Sequence, residues 1–213
     1  VRRAACRQQL GAFRVEKRQD AMTDEDRSVA ITTELHPTIL RTAHLAWRCA
    51  GPAAIEAFID ADEFLNSGHP VTVQWRFDQQ RPSEQAAWGV STDGGGAFVP
   101  ATHLAQFTVG AKRANRVLLR VADYRDVTYD LTFSLAGVSA ALSSLGCHGA
   151  VDAFEAERAT IADATLIANP NTKTYFPLAK SCWRGLLNQE RAIYFKTVEE
   201  AKAEGYSPSA ACR

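Results

Sequence analysis

Three stretches of this chain alternate apolar and polar residues with strict period two, and that pattern limits its fold more than any other feature. In HPVTVQWRFD (69–78), Val71, Val73, Trp75 and Phe77 fall on one side, and Thr72, Gln74 and Arg76 on the other. In TAHLAWRCA (42–50), Ala43, Leu45, Trp47 and Cys49 share a side. In VTYDLTFSLAG (127–137), Val127, Tyr129, Leu131, Phe133 and Leu135 do the same until Gly137 ends the run. Successive side chains of a strand point to opposite faces, so each stretch predicts a half-buried strand. VAITTEL (29–35) and the run through Val117, Leu119 and Val121 add two more, and AAWGVSTDGGGAFVP predicts a hairpin turning at 93–96. AIEAFIDADEFL (54–65) fits either period: Ile55, Phe58, Ile59 and Leu65 suit a helix, whereas Ile55, Ala57 and Ile59 suit a strand.

Helical signals are fewer. THLAQFTVGAKRANR predicts a short helical turn carrying Phe107, then an exposed basic connection with Lys112, Arg113 and Arg116. VSAALSSLGC (138–147) places Val138, Ala141, Leu142 and Leu145 at helical spacing. Short alternating strands with turns between them predict a mainly β domain over residues 1–150, an antiparallel sandwich-like fold closed by a short helix. Residues 151–165 have high helix propensity and weak amphipathicity, which suits a helical connector. Residues 166–213 form a separate small α+β unit, in which Thr197 and Glu200 have capping-box spacing and Gly205 stops the helix. A unit of this size needs a metal, a disulfide or a docking surface.

Charge balances, with 24 Lys+Arg against 24 Asp+Glu, so no global basic field argues for nucleic acid. No apolar run approaches the ~20 residues of a membrane-spanning helix. The opening VRRAACRQQL has the arginines of a signal-peptide n-region without an apolar stretch after them. Cysteines stand at 6, 49, 147, 182 and 212, with no CxxC pair, which argues against a four-thiolate zinc site of ordinary spacing. Their positions at element edges suit widely spaced disulfides in an oxidising compartment, and reduced cysteines in a cytosolic protein are the alternative.

Catalytic patterns are missing. His36, His44, His69, His103 and His148 include no HExxH pair, and Gly-x-Ser-x-Gly does not occur. His44 falls on a polar strand face, and His148 beside Cys147 is a poor nucleophile pair because chain neighbours point apart. STDGGGAF lacks the Lys-Ser/Thr of a phosphate loop and reads as a turn. The acidic turn with Asp20, Asp24, Glu25 and Asp26 lacks EF-hand spacing and reads as a solvated loop. Arg76, between Trp75 and Phe77, lies on the outer face of its strand.

LAWRC, VTVQWRFD, AAWGVSTDGGGAF, RVLLRV and YDLTFSLAGVSAALSSLGC together resemble the periplasmic accessory proteins associated with bacterial type VI secretion. RVEKRQDAMTDEDRSVAIT (14–32) resembles their first strand, so the likeness covers roughly residues 12–147. It implies an exported β-rich domain with a Cys49–Cys147 bridge. The tail is similar to the Ada-type metal-binding fold at Asn171, Lys173, Tyr175, Cys182, Tyr194 and Phe195. The match continues through Glu199, Glu200, Ala201, Gly205, Tyr206, Pro208 and Cys212. Phe176 stands where that family places histidine, and only Cys182 and Cys212 remain of four expected ligands, so even with Asp163 or water a zinc site would be poor. The fold resemblance instead implies a Cys182–Cys212 disulfide.

These features lead to the expectation of a non-enzymatic, cofactor-free and metal-free protein, periplasmic or extracellular, that binds a protein or cell-envelope partner. The alternative is a nucleic-acid-associated protein using the tail, with Lys173, Lys180, Arg184, Arg191, Lys196 and Lys202 as its basic face.

Overall fold

The structure, a computed structural model, describes residues 7–36, 42–51, 53–61, 65, 69–183 and 192–212, without the side chains of 157–162, 181 and 212. Cys6, Arg184 and Arg191 lie outside the described residues. The chain divides into two compact units, Val1–Asp152 and Ala153–Arg213.

Strict alternation does become strand. β1 (Arg7–Leu10), β2 (Phe13–Glu16), β3 (Val29–Thr33), β4 (Ala43–Gly51) and β5 (Ala54–Ala61) follow one another as antiparallel neighbours. The ambiguous 54–65 stretch is therefore a strand over Ala54–Ala61, with Ile55, Ala57 and Ile59 buried and Phe58 turned to the opposite face. β6 (Val71–Phe77), β7 (Ala86–Val90), β8 (Gly96–Phe98), β9 (Arg116–Ala122) and β10 (Thr128–Ser134) complete a ten-stranded antiparallel sheet of order β1-β2-β3-β4-β5-β8-β7-β6-β9-β10. The sheet curls back on itself. Just beyond β3, Glu34 bridges Phe133 of β10, and the Leu35 amide donates to the Thr132 carbonyl at 2.8 Å. Gly11 and Gly137 hold φ of +62° and +86° where the β1–β2 turn meets the chain after β10, and a Cβ would run into the Ala136 carbonyl from Gly11 or the Leu10 carbonyl from Gly137.

The interior is filled by a helix. α1 runs over Ala101–Arg113 as thirteen residues, longer than the short turn expected, and Lys112 and Arg113 are its last turn rather than an exposed connection. Cations there complement the carbonyl end of the helix dipole. Phe107, fully buried, has ring centroids of Trp47, Trp75, Phe77 and Trp88 between 5.5 and 5.8 Å away. The Trp47 indole N–H donates to Thr108 Oγ1 at 3.1 Å, so its polar atom is satisfied inside the core. Helix α2 (Val138–Ser143) follows Gly137, and Cys147 beyond it is bonded to Cys49 of β4, with Cα atoms 5.6 Å apart.

Helix α3 (His148–Asp163) carries the chain across the boundary between the units. The second unit has a four-stranded sheet from β11 (Leu166–Asn169), β12 (Thr174–Pro177), β13 (Ile193–Phe195) and β14 (Ser207–Pro208), in the order β13-β11-β12-β14. Helix α4 (Val198–Ala203) is capped by Thr197, whose Oγ1 accepts from the Glu200 amide at 3.1 Å. The Glu200 carboxylate reaches back to the Lys196 amide at 2.8 Å, one residue before the position a strict capping box uses. Leu166, Ala168, Tyr175, Phe195, Ala201 and Tyr206 form the small core.

Candidate functional site: a groove on the outer face of the sheet

Inward-facing residues of the sheet are spent on the core, so recognition falls to the outward ones. Their register sets them in rows. Arg14 of β2 pairs with Ile31 of β3, Ile31 with Ala46 of β4, Ala46 with Phe58 of β5, and Phe58 with Phe98 of β8. One row thus crosses five strands as a cation followed by four apolar residues. The next row runs Glu16, Val29, Arg48 and Glu56, and on the other side lie Thr33, His44 and Asp60. A groove of about 700 Å³ lies against these rows, with Ile31, Ala46 and Phe58 in its lining and Ala46 itself almost fully covered by its neighbours.

Arginines edge this groove: Arg14, Arg18, Arg27 and Arg48 all line it. The Glu16 carboxylate, 4% exposed, lies 3.4 Å from Arg7, 3.1 Å from Arg14 and 2.6 Å from Arg18. The hydrogen bond from Arg18 and the three guanidinium charges hold its pKa below the usual carboxylate range, against the opposing effect of burial. Three cations share one anion, and all three arginines keep about half or more of their side-chain surface in solvent. Each guanidinium has five N–H donors, so unused donors remain. Arg27 pairs with Glu25 at 2.7 Å. Arg48 is fixed differently: Glu56 holds it at 2.8 Å while its guanidinium lies 5.1 Å from the Phe58 ring centroid and 5.2 Å from that of Phe98.

The residues singled out from sequence are scattered. His44 is half-buried in the groove, with Nδ1 3.2 Å from Thr33 Oγ1, rather than simply solvent-facing. The His103 ring lies 5.5 Å from that of Trp75, and His148 Nδ1 is 3.0 Å from the Leu145 carbonyl. Cys147 is in a disulfide, which removes it as a thiolate nucleophile. Arg76 is exposed on β6, away from the five-strand row. In the glycine-rich turn, Ser91 Oγ donates to Asp93 and accepts from the Gly96 amide, a purely local role. The acidic turn is more than a solvated loop. Asp20 caps the Met22 and Thr23 amides, and Asp26 accepts from the Ser28 amide at 2.6 Å. Burial raises the Asp26 pKa, but hydrogen bonds from Ser28 and the Gly146 amide outweigh it and leave the group lowered.

In the second unit, Phe176 is buried and Asp163 pairs with Lys196 at 3.2 Å. Among the described residues no group of three or more His, Cys, Asp or Glu side chains is placed to hold a metal. Cys182 is disulfide-bonded, to a partner outside the described side chains. Of the tail's expected basic face, Lys196 is in that ion pair and Lys173 Nζ lies 4.3 Å from the Tyr206 ring centroid.

No known family matches the sequence, and no curated protein matches it. Among solved structures, the crystal structure of invasion associated protein B from Bartonella henselae aligns with 72% of this chain and 99% of its own, at 10% identity and a TM-score of 0.45. A likeness at that level assigns no function. No helix among the described residues is long and apolar enough to cross a membrane.

The groove itself was hidden in the sequence. Alternation in FRVE and AHLAWRCAG places Arg14 and Arg48 outward, but nothing local shows that strands β2 to β5 align them around Ile31, Ala46 and Phe58.

Proposed function

We propose that this chain is an exported, non-enzymatic binding protein that holds a protein or cell-envelope partner in the outer-face groove of its β domain. The finer proposal is an accessory role in a bacterial secretion system, supported by the sequence resemblance of residues 12–147. One observation carries the binding role: an apolar row, Ile31–Ala46–Phe58–Phe98, left on the outer face and edged by arginines whose donors are only partly used. Ordinary outer faces of antiparallel sheets alternate polar outward. Here the apolar residues face outward too. For the tail, we propose a degenerate Ada-like module stapled by Cys182–Cys212. Two facts support that pairing: Cys182 is in a disulfide, and the 3₁₀ turn at Ser181–Trp183 packs against that at Ala210–Cys212.

Site-specific photo-crosslinking in cells that produce the protein tests the binding role. A photoreactive residue replacing Ile31 or Phe58 is expected to give adducts of discrete mass, and one replacing Arg76 is expected to give none. Equal adduct patterns from all three positions, or none from the groove, would overturn it.

A further inference from the structure

Building on the proposal that the groove binds, we infer that its occupant is an acidic segment of a protein partner, with carboxylates beside a bulky apolar side chain. The geometry supplies both halves of this recognition. Arg14 and Arg18 converge on Glu16, which Arg7 also approaches, so three positive charges meet one negative charge and an excess of about two remains at the β2 edge. Carboxylates are the natural planar complement to the free guanidinium edges, because two N–H groups can donate in parallel. Directly beside this edge the floor is apolar, and the Ile31–Ala46–Phe58 row is continuous with Arg14 across the register. A segment placing carboxylates at Arg14 and Arg18 therefore brings a neighbouring side chain over the half-buried Ile31 beside them.

The opposite wall decides against a polyanion. On the β5 side Glu56 pairs with Arg48 at 2.8 Å, so that wall offers no surplus positive charge to a nucleic-acid backbone or an anionic lipid surface crossing the apolar floor. Two aromatic rings hold Arg48 in that pair, so the surplus positive charge stays at the Arg14–Arg18 edge. A peptide matches this polarity because its negative charge is local.

The experiment uses the full oxidised chain and a fluorescein-labelled peptide with paired glutamates flanking a leucine. Controls are the same peptide with glutamine for glutamate, the same peptide with alanine for leucine, single-stranded DNA, and phosphatidylglycerol vesicles. The acidic–apolar peptide is expected to bind, and each control peptide to bind about tenfold or more weakly. The double substitution Arg14→Gln and Arg18→Gln should reduce binding at least about tenfold, whereas Arg76→Gln should leave it unchanged. Reversing the peptide to lysines should restore no binding to the wild type. In case the double variant folds poorly, methyl NMR of the wild type gives a second measure: Ile31 and Ala46 resonances should shift on peptide addition, and Leu119 should not. Stronger binding of DNA or vesicles than of the peptide would overturn the assignment. So would equal binding of the glutamine peptide, or unmoved Ile31 and Ala46 signals. Groove cross-links that survive such a failure would leave the binding role standing and defeat only the acidic class.

Discussion

Glu16 and Asp123 show how a carboxylate is kept ionised in this fold. Asp123, with its side chain almost fully buried, accepts from the amides of Arg125 (2.8 Å) and Val127 (3.0 Å), the Arg125 guanidinium (2.9 Å) and the Tyr129 hydroxyl (3.2 Å). Burial pushes its pKa up, and these donors outweigh burial and leave it lowered. The same partner raises Tyr129, after burial of the phenol itself. Asp123→Asn keeps one acceptor oxygen but loses the ion pair and half the lone pairs, so it should cost about 2 kcal/mol in urea unfolding. Glu16→Gln should cost less, about 1–2 kcal/mol, because its three arginine partners are half in solvent. The pH dependence has a definite sign. Both carboxyls are lowered in the folded chain, so the unfolded chain binds more protons and stability falls with acid. Their contribution is fully present above the ordinary carboxylate value of about 4 and is lost as pH falls through the depressed folded values. The stability gap between wild type and either variant should therefore be constant from neutral pH to about pH 5 and close below about pH 4. A gap that persists under acid would show that the lost interaction was not the ionised carboxylate.

At the scale of elements, helix α1 ties the core together, and Gly110 is its most revealing position. Helix propensity alone says Gly110→Ala should stabilise by about 1 kcal/mol. The structure says otherwise: a Cβ there would stand 2.5 Å from a ring carbon of Phe77, an aromatic side chain packed against Phe107. A ring in that position cannot swing away without disturbing Phe107, so the substitution should destabilise by about 1–3 kcal/mol in thermal unfolding. A rise in midpoint would mean that the ring has room the packing does not show. This element also marks the limit of what the sequence reveals. The strands were legible because one face of each packs on the core, and Val71, Val73, Trp75 and Phe77 are buried just as their spacing implies. Phe58 leaves the 54–65 stretch open between helix and strand because an outward apolar residue breaks the two-period pattern, and it does so as part of the groove lining. Helix α1 extends beyond its sequence signal because Phe107, Thr108, Val109 and Ala111 are buried together, which blurs the single apolar stripe of a surface helix. The groove was invisible for a different reason. Its arginines come from β2, β4 and the chain around the acidic turn, and only strand register makes them neighbours.

On the scale of the whole molecule, the two units differ in how much buried core stands behind a covalent bridge. Cys49–Cys147 closes a sequence separation of 98 residues around a core that already holds Trp47, Trp88, Phe107 and Phe133 fully buried. The chain-entropy contribution there is about 4–5 kcal/mol. Among the described residues of the second unit the core is a small cluster, Leu166, Ala168, Tyr175, Phe195, Ala201 and Tyr206 with Val198 against it, and a Cys182–Cys212 staple would contribute about 3–4 kcal/mol. The smaller unit has far less burial to fall back on, so reduction should act on it first. Hydrogen exchange followed by mass spectrometry, with and without reductant, checks this. On reduction, peptides from β12 and β13 should lose protection while those from β6 and β9 keep most of theirs. A non-reducing peptide map of the same sample should join the peptide containing Cys182 to that containing Cys212, and leave Cys6 as the one alkylated thiol. If β6 and β9 open first, the β domain rather than the tail is the part that depends on its disulfide. If Cys182 is joined to Cys6, the staple runs between the two ends of the chain, and the tail's stability is then set by where residue 6 is held.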